Sequence, residues 1–411
     1  MSGTIAVLNA GSSSIKFSLY RAEPEAAAEG AAGTDRAGRA GAWLKILAEG
    51  AIEELDGAPR FLVRDRQGAV LSSRRWDGVP RPPHEELLRH LIGWIESHHG
   101  PGALRAIGHR VVFGGPIAEP ALRVDTAVLD RLSALVPMMP LHLPQNLAPI
   151  RALADTHPGL PQIACFDTAF HASVPHRDRL YALPRALADA GLIRYGFHGL
   201  SYESIAQRLP ALDPRAAAGR TIVAHLGNGA SCCALAAGRS VGTTMGFSVL
   251  DGLVMGTRPG WIDPGILLYL LRQPGWDVDR IERLLYHESG LLGVSGISSD
   301  MRDLLGREEP TAQEAVDLFC RRAVAAIGSL VAPLGGLDAL VFTGGIGEHA
   351  ELVRREICAA LRWLGVDLDE EANRRGGPSL HRDASPVRIW VLPCDEDRVI
   401  AQHALRILGA P

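Results

Sequence analysis

Three short segments rich in glycine, serine and asparagine hold the residues best suited to gripping phosphate oxygens. The first, N-A-G-S-S-S-I-K, sets Asn9, Ser12, Ser14 and Lys16 at or beside a tight turn. Backbone N–H groups, hydroxyls and an ammonium can converge on an anion there. An ordinary polar hairpin has the same composition, and the segment lacks the G-x-x-x-x-G-K-[ST] spacing of a P-loop. The second, L-G-N-G-A, runs from Leu226 to Ala230 after His225. Glycines on both sides of Asn228 let the backbone approach an anion, although a plain glycine-rich turn reads the same way. The third, V-F-T-G-G-I-G-E, takes Val341 to Glu348 from a strand into a glycine turn ahead of a helix at Glu351. That layout offers amide donors and a helix N-terminus to a nucleotide, without the G-x-G-x-x-G spacing of a dinucleotide fingerprint.

The elements that must position these segments follow from hydrophobic periodicity. TIAVLNAGSSSIKFSLY reads as strand, tight turn, strand, and TIVAHLGNGASCCAL repeats that layout near the middle of the chain, which suggests two similar halves. Further strands are expected at Leu104 to Phe113, Gln162 to Phe166, Thr221 to Leu226, Ala339 to Thr343 and Val387 to Leu392. Apolar residues spaced by three and four predict helices at Glu85 to Ser97, Thr126 to Leu135, Tyr202 to Leu209, Gln313 to Leu330 and Glu351 to Leu364. Residues 21 to 42, rich in Ala, Gly and Glu without periodicity, read as a surface insertion. Strands and helices mixed along the chain predict an α/β architecture.

Composition narrows the function class. At 411 residues, two domains are expected. Hydrophobic residues at 47% and charged residues at 21% fit a folded globular chain and exclude a disordered or fibrous one. A net charge of −4 leaves no global basic field for nucleic acid, so any phosphate site must be local. Lys16 and Lys45 are the only lysines. Six scattered cysteines without C-x-x-C spacing fit reduced thiols in a cytoplasm. No signal peptide or membrane span is expected, because the first residues lack a basic segment followed by a long apolar run and the longer charge-free stretches elsewhere are broken by Pro, Gly, Asn or His.

Beyond these generic signals, a string of motifs closely resembles the acetate kinase family. In order they are N-A-G-S-S-S-I-K-F, G-H-R-V-V-F-G-G, F-D-T-A-F-H, Y-G-F-H-G, H-L-G-N-G-A-S, M-G-T-R-P-G-W-I-D-P-G, G-V-S-G-I-S-S-D-M-R-D and F-T-G-G-I-G-E, with Pro393 to Glu396 completing the set. The resemblance implies two RNase H-like, actin-like ATPase domains with the active site in the cleft between them. Residues 1–165 with 397–411 would form the substrate-side domain and 166–396 the nucleotide-side domain. It implies transfer of the ATP γ-phosphoryl group to acetate or a short homologue, with ATP/ADP and Mg2+ as cofactors, in a cytoplasmic homodimer.

The same resemblance assigns roles. Asp167, His198, Arg258 and Arg110 match the catalytic positions; Arg110 would hold the carboxylate, Arg258 the transferring phosphoryl group, and His198 would stabilise the transition state. Acetate is already ionised at neutral pH, so no general base is needed and Asp167 is expected to orient an arginine or a water-coordinated magnesium. Val112, Leu141, Phe197 and Val249, with Arg110, are the expected walls of the substrate pocket. ATP-binding positions are Lys16, Ser12, Ser14, His225, Leu226, Gly227, Asn228, Gly229, Asp300, Met301, Arg302, Gly345, Ile346, Gly347, Glu348 and His349, with Asp300 and Arg302 as nucleoside contacts. Asn9 and Glu396 match the metal positions.

Departures from the family pattern cluster near the pocket. Pro140 to Pro144 reads P-L-H-L-P for P-L-H-N-P, and Ser248 to Gly252 reads S-V-L-D-G for T-P-L-E-G. A valine for proline at a wall alters both shape and stiffness. Such a change is worth about 1–3 kcal/mol of discrimination, so propionate could compete. F-H-G-L-S-Y stands for F-H-G-T-S-H, His349 for a frequent asparagine, and Asp395-Glu396-Asp397 for N-E-E. The competing readings are a propionate or butyrate kinase of the same family, and a non-catalytic module that clamps ATP.

Overall fold

The computed structural model describes residues 3–11, 13–23, 43–77 and 82–409. These divide into two units, one of Met1–Ala169 with Asp395–Pro411 and one of Phe170–Cys394. In the first unit β1 (Thr4–Ala10) is buried except at Asn9, so its apolar run is unbroken rather than alternating. It pairs antiparallel with β2 (Ile15–Glu23), with Asn9 opposite Lys16, and the Gly11 amide donates to the Ser14 carbonyl across the turn at 2.9 Å. β3 (Trp43–Glu53), β4 (Arg60–Arg64) and β5 (Val70–Arg75) extend the sheet antiparallel beyond β2. On its other edge β1 pairs parallel with β6 (Leu104–Val111). β8 (Gln162–Phe166) follows parallel to β6, with β7 (Ala121–Arg123) at the edge. Residues 21–23, read above as the start of an insertion, belong to β2, and the rest of that segment lies outside the described residues.

Two helices close this sheet. The helix His84–His99 buries Leu87, Leu88, Leu91, Ile92, Trp94 and Ile95 into a cluster with Phe17, Phe61 and Val63. Those positions recur every three or four residues, so they form a single stripe. The C-terminal helix Glu396–Ile407 buries Val399, Ile400, Ala401 and Ala404 against β1, β6 and β8. It lies so close to β6 that a Cβ at Gly108 would overlap Ile400. Burying an aliphatic side chain contributes about 1.5–3 kcal/mol, so this stripe fixes the end of the chain, and with it Glu396.

In the second unit β9 (Arg220–His225), β10 (Ser231–Ala236) and β11 (Arg239–Thr243) form an antiparallel meander. β12 (Ala339–Thr343) runs parallel to β9, and β13 (Arg388–Val391) parallel to β12. The order β11-β10-β9-β12-β13 repeats β3-β2-β1-β6-β8 of the first unit in strand order and direction. The two halves share one topology, as their matching hairpins suggest. The long helix Pro310–Leu334 covers β9, β10 and β11. The expected helix from Glu351 to Leu364 ends at Ala360 and continues as a 3-10 turn, Arg362–Leu364. In both units the carboxyl ends of the central parallel strands lead into the chemistry-bearing segments, the edge at which open α/β sheets bind ligands.

Candidate active site

On the first unit the ends of β1, β6 and β8 set Asn9, Arg110 and Asp167 on adjacent strands. Asp167 follows β8 directly, and its amide donates to the Val111 carbonyl at 3.1 Å. Arg110 grips it with two donors, Nε to Oδ1 at 3.3 Å and Nη2 to Oδ2 at 2.6 Å. Glu396, at the first turn of the C-terminal helix, lies 3.5 Å from Arg110 Nε. One guanidinium thus serves two carboxylates. Burial, reinforced by Glu396, pushes the Asp167 carboxyl above the usual range against the pull of Arg110. Burial works against the Arg110 cation, but Asp167 and Glu396 outweigh it and hold its pKa above the usual value.

The acidic run beyond Cys394 reaches back to β2. Asp397 accepts a short hydrogen bond from the Ser18 hydroxyl, and the Tyr20 hydroxyl donates to Asp395 at 3.4 Å. Burial first, then the charges of Glu396 and Asp395, push the Asp397 carboxyl up to about 6, against Ser18 and Arg110. Arg110 with Asp167 and Glu396 alone sums to one negative charge. Such an oxygen-rich, net-anionic set suits a hard divalent cation. On this unit Val112 is half-buried, its amide held by Asn146 Oδ1 at 3.0 Å, while Leu141 is exposed. Ser14 is half-buried and Lys16 exposed; Ser12 lies outside the described residues.

The second unit gathers the other set. His198 takes left-handed φ of 58° at the residue before the helix Gly199–Leu212, a conformation that costs a non-glycine residue about 1–3 kcal/mol. Its ring stacks on His225 with centroids 4.3 Å apart. Ser231 Oγ lies 2.8 Å from His198 Nδ1, and Ser201 Oγ 2.8 Å from His225 Nδ1. Arg258 donates through Nη1 to the Val249 carbonyl at 2.8 Å. Among the described residues no carboxylate comes within ion-pair distance of it, and burial draws its pKa down to about 10. At Gly229 a Cβ would sit 2.8 Å from Arg258 Nη2 and 3.4 Å from His198 Nε2. The L-G-N-G-A turn, a desolvated cation and an imidazole therefore meet at one point. A bound anion would supply the counter-charge that Arg258 lacks.

The glycine segments pack on each other in a way their sequences do not announce. The amides of Ile346 and Gly347 donate to the Leu226 carbonyl at 2.8 and 3.0 Å, and the Gly344 amide donates to Glu348 Oε1 at 3.0 Å. The donors expected to face a nucleotide are mostly spent inside the protein. The segment forms a short helix, Gly344–His349, directly after β12. Gly345 and His349 are exposed, Gly227 and Gly229 half-buried and Asn228 exposed, so these present surface to a ligand. The Asn228 carbonyl meanwhile accepts from the Gly256 amide at 3.0 Å, joining the turn to the segment that carries Arg258.

Several expected contacts are not side-chain contacts. Met301, at 2% exposure, and Leu226, at 0%, are core residues whose apolar side chains face inward, so each can offer a ligand only backbone. Asp300 and Arg302 pair with each other, Nη2 to Oδ2 at 2.6 Å, on the surface. Phe197 and Val249 are buried. Sequence reasoning missed Ser231, Ser201 and Tyr202, which orient the two histidines, and Arg194. Arg194 donates to the Thr244 and Met245 carbonyls at 3.0 and 2.9 Å and pairs with Asp251 at 3.1 Å. It thereby straps the segment whose Val249 carbonyl anchors Arg258. Its place in the run before Y-G-F-H-G was the only sequence signal.

Known proteins resemble this chain along nearly its whole length. Residues 4–402 match the model of the Acetokinase family. The chain is 49% identical over 412 residues to an acetate kinase of Rhodopseudomonas palustris, covering 99% of both. It is 44% identical over 409 residues to an acetate kinase of Methylocella silvestris, covering 99% of this chain and 98% of the other. Among solved structures it is similar to an acetate kinase from Porphyromonas gingivalis, with a TM-score of 0.85 and 31% identity, covering 99% and 100%. A propionate kinase from Francisella tularensis matches with a TM-score of 0.86 and 32% identity, covering 97% and 98%.

Proposed function

Because the chain belongs to the acetokinase family, we propose that it transfers the γ-phosphoryl group of ATP to acetate, giving acetyl phosphate and ADP, and catalyses the reverse. It is a phosphotransferase with a carboxyl group as acceptor, built on the two-domain actin-like ATPase fold. The observation that carries the reading of the site is the convergence of Arg258 and His198 at Gly229, a desolvated cation and a donor with no protein carboxylate beside the guanidinium among the described residues.

Acetate attacks as the carboxylate, so the protein's task is to hold two anions together and to neutralise the equatorial oxygens of an in-line transition state. Arg110 has five N–H donors, of which Asp167 engages two. The remaining donors receive the acetate carboxylate, and Asp167 and Glu396 fix the plane of the guanidinium. Arg258 and His198 donate to the transferring group. Lys16, the Gly227–Gly229 backbone, Gly345 and His349 line the nucleotide. Glu396 and Asn9 would hold magnesium, which would offset the phosphate charge and the net negative charge around Arg110. The reading requires both sets of residues to engage the same pair of substrates.

Val112, Leu141, Phe197 and Val249 set the acid's length. Val249 where the family has proline, and the likeness to a propionate kinase, favour propionate as a second substrate. Trapping the acyl phosphate with hydroxylamine across acetate, propionate and butyrate tests this directly. Acetate should give the highest kcat/KM. A strong preference for butyrate would overturn the acetate assignment, and ATP binding without acyl phosphate from any acid would leave only an ATP clamp.

We also assign a homodimer in the cytoplasm. The helix Pro264–Leu271 buries none of its residues and exposes Ile266, Leu268, Tyr269 and Leu271 by 44–63%, a face that a second copy would cover. The six cysteines are free, which fits a reducing compartment. Among the described residues no helix is long and apolar enough to cross a membrane.

A further inference from the structure

His198 is held by a chain of two hydroxyls. Tyr202, one turn into the helix that His198 precedes, is fully buried and makes a short hydrogen bond to Ser231 Oγ. Ser231, the first residue of β10 and equally buried, lies 2.8 Å from His198 Nδ1. The proton order along this chain decides which nitrogen of His198 carries hydrogen.

Three orders are possible, since a serine hydroxyl donates one hydrogen bond and accepts two. In one, Tyr202 donates to Ser231 and Ser231 donates to His198 Nδ1, leaving the imidazole proton on Nε2. In the second, His198 Nδ1 donates to Ser231, and Ser231 donates to Tyr202; in the third, His198 Nδ1 and Tyr202 both donate to Ser231. Ser231 is the hydrogen-bond partner of the Tyr202 hydroxyl among the described residues. The second order would therefore leave the phenol proton, and the third the Ser231 proton, buried with no acceptor among the described residues, and an unmade buried hydrogen bond is costly. Burial also holds the phenol well above its usual pKa, so it keeps its proton as a donor. The far nitrogen, Nε2, is the one beside Gly229 and Arg258. His225, stacked on the same ring, has its own Nδ1 against Ser201 Oγ in parallel fashion.

We propose that Tyr202 and Ser231 are positioning residues that fix His198 as the Nε2–H tautomer, so that it meets the transferring phosphoryl group as a neutral donor aligned with Arg258. This rests on the transition-state role given to His198 above. Tyr202 stands where the acetate kinase pattern F-H-G-T-S-H has a histidine.

The test is nitrogen-15 NMR of imidazole resonances in the full-length protein, with His198 assigned by comparison with His198→Ala. The wild type should show a neutral ring with the proton on Nε2. Ser231→Ala should mix the tautomers and lower kcat about tenfold, roughly the worth of one hydrogen bond, with both KM values within about twofold. Ser231→Thr, which keeps the hydroxyl, should restore the Nε2–H signal and most of the rate. Tyr202→Phe should give a smaller fall in kcat with the same tautomer drift. A proton on Nδ1 in the wild type, or an unchanged tautomer in Ser231→Ala, overturns the relay even if His198→Ala is inactive. Full activity in His198→Ala would instead overturn the role of His198 itself, whatever its tautomer.

Discussion

Replacing Gly229 by alanine tests the convergence of groups at the L-G-N-G-A turn. Gly229 is not among the glycines with positive φ, so alanine meets no backbone penalty there. The added methyl would lie 2.8 Å from Arg258 Nη2. Non-bonded carbon and nitrogen atoms settle near ~3.5 Å, so the guanidinium must withdraw by about 0.7 Å. Its other anchor, Nη1 to the Val249 carbonyl, is already 2.8 Å and tolerates little stretch. Misplacement of a catalytic group by about 1 Å costs on the order of a hundredfold, so kcat should fall by about ten- to a hundredfold, or roughly 1.4–2.8 kcal/mol of barrier. Stability should hold or rise slightly, since alanine restricts the unfolded chain. Steady-state acyl hydroxamate assays beside thermal melts of the same preparations read both quantities. A kcat within twofold of wild type, with a normal melt, would refute the placement of Arg258 at the reacting group.

His109 and His171 should each contribute stability that rises with pH between about 4 and 6.5, against the opposite contribution of Asp167 and Asp397 raised to about 6, because burial holds both imidazoles at about 4, below the ordinary value of 6.5. In that window the unfolded chain binds their protons and the folded chain does not. Each contributes a slope of about 1.4 kcal/mol per pH unit, and His109→Asn should remove one share when urea midpoints are followed against pH. Arg354, 1% exposed, donates to the Gly347 and Glu348 carbonyls at 2.9 and 2.8 Å and to Asn373 Oδ1 at 2.8 Å. Arg354→Met strands these acceptors and should cost about 2–4 kcal/mol in denaturant titrations while weakening ATP binding; a change below about 0.5 kcal/mol would contradict that clamp. If the helix Pro264–Leu271 forms the proposed dimer interface, Leu268→Glu should give a monomer in sedimentation velocity where the wild type sediments as a dimer, and an unshifted dimer would place the interface elsewhere.

Where the sequence was legible, burial was simple. Gln162–Phe166 and Ala339–Thr343 have every residue buried, so their apolar runs end at the strand ends. β5 was not legible, because its V-L-S-S-R-R carries mostly exposed side chains at a sheet edge. The helix Leu143–Thr156 was hidden by Pro144 and Pro149. Pro144 falls in the first turn, where a missing N–H costs little. The charged residues of the proposed site could be named only as members of motifs, since an arginine's type says nothing about its partners. The tie between Ser18 and Asp397 spans 379 residues, and no local pattern encodes it. Nor could spacing show that the glycine-segment amides are consumed by the Leu226 carbonyl, since only the approach of β9 to β12 brings them together.

Arg258→Ala separates gripping the nucleotide from stabilising its transfer. Calorimetry should find ATP affinity within about threefold of wild type, while acyl phosphate formation from acetate falls by about a thousandfold, as for loss of a group that acts on developing charge. An equal loss of affinity and rate, or an unchanged rate, would contradict the assignment of this guanidinium to the transferring phosphoryl group.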